Sequence, residues 1–245
     1  MAKFKDNIGD IYQQETKYDR DSMTGYSPAT YETAAPFKTY PDAIEKEPLP
    51  SPACTSDSEL WQVMQKRRSE RNFTDYVMPR DELFLMLFAV QGVTAEYGEY
   101  LFRTAPSAGA LYPIETYLMV NSVEALTKGL YHLNVFDPCL ELIDDTDRSR
   151  DLARAALGQS FVASASVTFI WTAIPGRSKW KYRERSYRYI YLDAGHIAQN
   201  LYLAACALDL GCCTIGAFFD EEVNAIIGVD GVKETAVYIG AVGKP

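Results

Sequence analysis

The alternation of apolar and polar positions resolves into a series of helices and strands beginning near residue 56. Ser56 or Asp57 predicts the N-cap of a helix that carries Leu60, Val63 and Met64 on one face. Pro79 suits the first turn of a second helix, in which Leu83, Met86, Leu87 and Val90 recur at helical spacing before Gly92. Residues 114–121 are rich in strand formers, and 129–133 and 136–143 follow as shorter strands. The pattern then predicts a helix over 148–157 and a fully buried strand over 167–173. The longest helix is expected over 181–210, where Ile190, Ala194, Ile197, Leu201, Ala204 and Leu208 form an apolar seam and Gly211 supplies the stop. A short strand over 212–217, a capped helix over 220–227 and a last strand over 235–242 complete the order. The two element types alternate without an even βα rhythm, so the predicted class is α+β.

Composition narrows the function. The 245 residues carry a formal net charge of −9, whereas phosphate affinity is supplied by Lys and Arg, so a bulk nucleic-acid binder is excluded. Hydrophobic content of 47% with 23% charged residues excludes a disordered or fibrous chain. The two histidines, His132 and His196, stand too far apart for a His-rich metal site. The five cysteines form no C-x-x-C pair, and vicinal Cys212 and Cys213 read as small buried hydrophobes. Residues 155–176 lack charge, but their glycines, serines and threonines predict a helix end, a turn and a buried strand rather than a membrane span. The start is charged and has no apolar h-region, so a reduced, cytoplasmic protein is expected.

Residues 1–55 differ from the rest. The first fifty contain five tyrosines and nine acids against six bases, with no sustained period. Tyr12, Tyr18, Tyr26, Tyr31, Phe37 and Tyr40 need a surface to lie on, which favours an extended arm packed on its own body or on a partner subunit. Residues 56–245 form the expected main domain.

Three segments could carry chemistry. Arg67, Arg68, Ser69 and Arg71 offer three guanidiniums and a hydroxyl for forked bonds to a phosphate, although a solvated helix end would look the same. Pro106–Pro113 sets small residues between two prolines, which either lets backbone approach a flat ligand or simply makes a tight turn. Residues 177–188 hold six of the 24 basic residues, with Glu184 the one opposing acid. Within them, Lys181 and Tyr182 set an amine beside a phenol, and either could move a proton. Asp193, His196 and Asn200 could form a polar relay on the long helix; a satisfied buried histidine is the plainer reading.

These segments resemble the SagB/ThcOx-type dehydrogenases of the nitroreductase-like flavoprotein superfamily. The matching stretches are R-R-S-E-R-N-F at 67–73, R-T-A-P-S-A-G-A-L-Y-P-I-E at 103–115 and G-L-Y-H-L at 129–133. They continue with K-Y-R-E-R-S-Y-R-Y at 181–189, L-D-A-G-H-I-A-Q-N-L-Y-L-A-A at 192–205 and I-G-A-F-F-D at 215–220. The resemblance implies an FMN-binding α+β fold with a central, mostly antiparallel sheet flanked by helices. It also implies an interlocked homodimer with flavin at the interface. On that basis Arg67, Arg68, Ser69 and Arg71 should hold the FMN phosphate and ribityl chain. Pro106, Ser107, Ala108, Gly109 and Ala110 should touch the flavin of the other subunit, and Ile215 and Gly216 should line its ring. Lys244 should reach the phosphate where the family more often shows Arg, keeping the charge and losing the fork. The Lys181–Tyr182 pair should transfer the proton when a thiazoline or oxazoline of a modified peptide is oxidised. A biosynthetic cyclase is an expected partner. An NAD(P)H-driven reductase of nitro compounds, quinones or enones on the same fold is the alternative. A non-catalytic scaffold for such a cyclase is the third.

Overall fold

The computed structural model describes residues 33–49, 60–98 and 100–245. Most of the expected 1–55 arm and the expected cap at Ser56 or Asp57 lie outside those residues. Nine strands are described: β1 (Glu45–Pro48), β2 (Val93–Tyr97), β3 (Tyr100–Arg103), β4 (Ile114–Val120), β5 (Gly129–Asn134), β6 (Cys139–Asp144), β7 (Val167–Ala173), β8 (Gly211–Ile215) and β9 (Thr235–Gly243). The helices are α1 (Leu60–Lys66), α2 (Arg80–Gln91), α3 (Ser149–Ala155), α4 (Phe161–Ser164), α5 (Gly176–Tyr182), α6 (Ser186–Ala207) and α7 (Asp220–Ile227).

Seven strands form one sheet in the order β1-β6-β5-β4-β7-β9-β8. Each neighbouring pair is antiparallel. Every residue of β4 and β7 is buried, as central strands covered on both faces should be. Helices α2 and α6 pack on one face, with Leu83, Leu87, Ile190, Ala194, Ile197 and Leu201 closing on Leu118, Phe169 and Trp171. On the other face α3, α4 and α7 cover Met119, Ile170, Ile215 and Ile239. At Gly240, a Cβ would lie 2.9 Å from Leu201 and 3.0 Å from Trp171, so glycine lets α6 settle close to β9. Cys212 and Cys213 are buried, and desolvation pushes both thiols up. Among the described residues no helix is long and apolar enough to cross a membrane.

Four boundaries depart from the sequence expectation. The longest helix begins at Ser186, because Arg183 takes a positive φ of 50° and separates α6 from α5. It ends at Ala207, and the chain reverses through Asp209 at φ 54° rather than through Gly211. Gly211 opens β8 instead, where a Cβ would stand 2.8 Å from that of Glu70. Phe136 belongs to the β5–β6 turn, whose N–H donates to Asn134 Oδ1 at 3.1 Å, and the strand starts at Cys139. The β2–β3 hairpin and edge strand β1 had no prediction. Strand β1 is charged and closes on Pro48, a composition that blunts a sheet edge.

Candidate functional site

After α1 the chain runs extended along the ends of β8 and β9. Ser69 bridges Cys212, Glu70 N–H donates to Cys212 O at 3.0 Å, and Thr74 N–H donates to Lys244 O at 2.8 Å. Those contacts gather Arg67, Arg68, Ser69, Arg71 and Lys244 at the Gly211 end of β8, and Ile215–Gly216 lie at the opposite end of that strand. The Arg67 guanidinium stands 5.1 Å over the Tyr202 ring. Ser69 shares a 3.0 Å hydrogen bond with Tyr202, whose hydroxyl also accepts the Thr214 N–H at 2.9 Å. Lys244 Nζ donates to Asp209 O at 3.0 Å, and Arg68 Nη1 donates to Gln65 O at 2.9 Å. Among the described residues none of these four cations forms a salt bridge, and Arg68, Ser69 and Arg71 are exposed. Such a donor set fits a phosphate. The Ile215 side chain faces the core, leaving its backbone for a ligand; Gly216 is exposed, and a Cβ there would meet the Tyr238 ring alone, at 3.9 Å.

The Pro106–Pro113 segment is a turn with three positive-φ residues: Gly109, Ala110 and Tyr112 have φ of 65°, 54° and 43°. Two of these are not glycine, and such strain persists only when neighbours over-determine it. Asp193 of α6 supplies much of that constraint. Its carboxylate accepts the Ser107 hydroxyl at 2.6 Å and the Ala108 N–H at 3.3 Å, while Ser107 Oγ accepts the Tyr112 N–H at 3.0 Å. Burial raises the Asp193 pKa, the bonds from Ser107 and Ala108 working against it. Across the turn lies the expected proton-transfer pair. A Cβ on Gly109 would stand 2.5 Å from Tyr182 Oη and 2.7 Å from Lys181 Nζ. The Lys181 amine is 5.4 Å from the centre of its neighbour's ring, and Tyr182 meets Tyr189 edge-on at 4.7 Å.

The structure therefore brings Lys181 and Tyr182 to the Ser107–Ala110 turn, and brings Arg67, Arg68, Ser69 and Arg71 to Lys244, with Gly216 a strand length away along β8. It does not bring the two groups together within one chain. Their anchors on α6, Asp193 and Tyr202, are separated by about 14 Å of helix axis. The expected Asp193–His196–Asn200 strip also divides. Asp193 serves the turn, Asn200 Nδ2 donates to Ala89 O at 2.8 Å, and His196 is exposed rather than buried.

One constellation escaped the sequence reading. His132, fully buried, faces a carboxylate at each ring nitrogen: Nδ1 is 3.0 Å from Glu141 Oε2 and Nε2 is 2.9 Å from Glu115 Oε2. Arg177, also buried, pairs with Glu115 through Nη1. Burial by itself would raise Glu115, but Arg177, His132 and Arg103 outweigh it and hold the carboxyl at about 2. Burial would likewise lower His132, and the bonds to Glu115 and Glu141 reverse that to a raised pKa. Residues of the described arm cover this polar patch. Tyr40 N–H donates to Glu141 at 2.9 Å, and Lys38 pairs with Glu234 at 2.6 Å. The available signal was three polar residues at inward positions of β4, β5 and β6, aligned by register.

Comparison with known proteins identifies the scaffold. A family model described as the nitroreductase family matches residues 64–244. The chain belongs to that family. A provisionally named nitroreductase of Methanocaldococcus jannaschii is 38% identical over 186 residues, covering 76% of this chain and 91% of that protein. The trifolitoxin-processing protein TfxB of Rhizobium leguminosarum bv. trifolii is 34% identical over 145 residues, covering 57% of this chain but 39% of TfxB. Among solved structures, a provisionally named nitroreductase from Anabaena variabilis superposes with a TM-score of 0.74 at 27% identity, over 96% of this chain and 46% of that one. The nitroreductase-like fold expected from the sequence, an antiparallel central sheet flanked by helices, is thus the fold observed. The protein is a nitroreductase-family oxidoreductase.

Proposed function

We propose that this nitroreductase-family protein is an FMN-dependent dehydrogenase of azolines, meaning thiazolines, oxazolines or a related heterocycle, in modified-peptide or natural-product biosynthesis. The observation that carries the reading is the contact of the Gly109 turn with Tyr182 Oη and Lys181 Nζ. In this reading the turn that faces the flavin and the groups that move the proton form one rigid unit. The relationship to TfxB, named for the processing of trifolitoxin, supports a biosynthetic role.

The residues present fit FMN. Arg67, Arg68, Arg71 and Lys244 would hold its phosphate, Ser69 its ribityl chain, and the Ile215–Gly216 backbone would lie along its ring. Pro106, Ser107, Ala108, Gly109 and Ala110 would complete the site of a second copy of the chain. That assignment makes a homodimer the working unit, because one chain keeps its two half-sites apart. When bound, FMN supplies the two-electron acceptor. Lys181 and Tyr182 receive the proton lost from the ring carbon, and Asp193 keeps the turn aligned through Ser107 and Ala108. A biosynthetic cyclase would deliver the azoline-bearing peptide.

A second reading is favoured by the nitroreductase of Methanocaldococcus jannaschii, which this chain matches over most of that protein's length. It is an NAD(P)H-driven reductase of nitro compounds, quinones or enones. The visible spectrum of the purified protein, with the released chromophore identified by mass, tests both readings, and stoichiometric FMN is expected. Slow anaerobic bleaching by NAD(P)H with rapid bleaching by a thiazoline peptide supports the dehydrogenase; the reverse order supports the reductase. Full azoline turnover by Lys181→Ala would overturn the proton-transfer assignment.

A further inference from the structure

Beside the Lys181–Tyr182 pair lies a cavity of about 750 Å³, well within the range of small-ligand sites. Its walls come from five places in the chain: the described arm, the β2–β3 hairpin, the turn at 110–112, the β5–β6 turn and helix α5. Phe37, Tyr100, Tyr112, Phe136 and Trp180 give it aromatic sides, with Phe37 and Phe136 ring centres 4.7 Å apart. Two guanidiniums, Arg103 and Arg177, line it as well.

Both arginines are held in place. The Arg103 guanidinium stacks 4.4 Å from the Tyr112 ring centre and donates through Nη1 to Gln91 Oε1 at 2.9 Å. Arg177 donates through Nε to Ala35 O at 3.0 Å and through Nη1 to Tyr112 O at 3.1 Å, besides its pair with Glu115. Each nevertheless keeps a buried donor without a hydrogen-bond partner among the described residues: Nε of Arg103 and Nη2 of Arg177. A buried donor left unmade is costly, and a water, an ion or a small turn of the guanidinium must satisfy it. Charge points the same way. Glu115 pairs with Arg177, acts on Arg103 through its charge alone, and is shared with His132. The chain carries −9 overall, yet here it concentrates positive charge behind aromatic walls.

We infer that this cavity recognises a flat aromatic or heteroaromatic ring bearing a carboxylate, with the ring between the aromatic walls and the carboxylate turned to Arg103 and Arg177. The inference rests on the proposed azoline chemistry for its connection to catalysis, since Ala110 and Trp180 of the cavity adjoin Gly109 and Lys181 in sequence. In that setting the pocket selects a C-terminal or free heterocycle, whose adjacent carbonyl is a carboxylate rather than a peptide amide. Recognition itself needs no redox step and can be measured separately.

The test uses the purified full chain, with thiazole-4-carboxylate and the neutral thiazole-4-carboxamide as paired probes. Tryptophan fluorescence reports through Trp180, and calorimetry gives the affinity. The carboxylate should bind at least about tenfold tighter than the amide, the discrimination expected from one charge-assisted bond. Arg103→Gln, checked by thermal unfolding, should erase that preference while flavin content stays at the wild-type level. Phe37→Ala should weaken both probes equally. Equal affinity for acid and amide, no binding of either, or an undiminished preference in Arg103→Gln would overturn the inference. Because binding is read without turnover, a protein that prefers the acid but fails to oxidise azolines would refute the function reading and leave the pocket standing.

Discussion

Gly109→Ala isolates the contact on which the proposed chemistry depends. The added Cβ imposes two separate costs. The first is backbone strain, because alanine at φ 65° is disfavoured by about 1–2 kcal/mol. The second is steric, since the new carbon would lie 2.5 Å from Tyr182 Oη and 2.7 Å from Lys181 Nζ. Both obstructing atoms are the far ends of side chains, so they yield, moving by about 1 Å to reach normal contact. Gly228→Ala is the matched control, with φ 76° and nothing within 4 Å of its Cβ. For a domain of this size the strain alone should lower Tm by about 2–8 °C in both variants. Only Gly109→Ala displaces the proton-transfer pair, and a displacement of that size should cut azoline turnover by about 100-fold. Thermal unfolding and steady-state kinetics on the two proteins decide the matter. If both lose similar stability and both retain turnover, the turn does not position Lys181 and Tyr182 for the reaction.

Stability should pass through a maximum in mildly acidic solution. Glu115 is held at about 2 against its usual 4.5, so its contribution of roughly 3 kcal/mol is present above pH 4.5 and lost as pH falls towards 2. His132 has a raised pKa, so its contribution is complete below its usual 6.5 and disappears as pH rises through the folded value. Urea unfolding at a series of pH values should show both limbs, and an unchanged alkaline limb in His132→Gln would contradict the assignment. Asp193→Asn should keep an acceptor for Ser107 or Ala108 and fold normally, while Asp193→Ala should lose about 1–3 kcal/mol in thermal unfolding. Lys244→Arg restores a forked donor beside Arg67 and Arg71 and should tighten FMN several-fold by equilibrium dialysis; no change would remove Lys244 from the phosphate site.

Elements with a strong apolar period were legible in the sequence. The fully buried β7 and the α7 helix fall where the pattern set them, because burial alone decides such positions. The start of α6 was not legible, since residues 181–185 are compatible with helix until Arg183 adopts a left-handed backbone that tertiary contacts impose. The β2–β3 hairpin was missed because Glu96, Tyr97 and Tyr100 are exposed and show no alternation to read. In the site, motif resemblance located the residues, but their grouping came from geometry: nothing in the spacing of Gly109 and Tyr182 says that they touch. The Glu115–His132–Glu141 cluster was hidden for the opposite reason. Charged residues on strands look solvent-facing until the register stacks them beneath Tyr40.

The ion pair between Lys38 and Glu234 joins residues 196 positions apart in the chain. On a ribosome, Lys38 would wait on the order of ten to forty seconds for its partner to be made. The Tyr117 hydroxyl, which donates to Glu234 at 2.8 Å, waits with it. The Lys38–Tyr117–Glu234 corner therefore closes late, after β4, β5 and β6 have been made but before β9 completes the sheet. Nascent chains stalled before residue 234 should be cut by protease near Lys38, outside the Glu45–Pro48 strand that β6 already pairs, and chains released past that point should resist. The arm thus behaves as a late fastener, and the interval before it closes is when a helper protein or a binding partner has access to the buried acids beneath it.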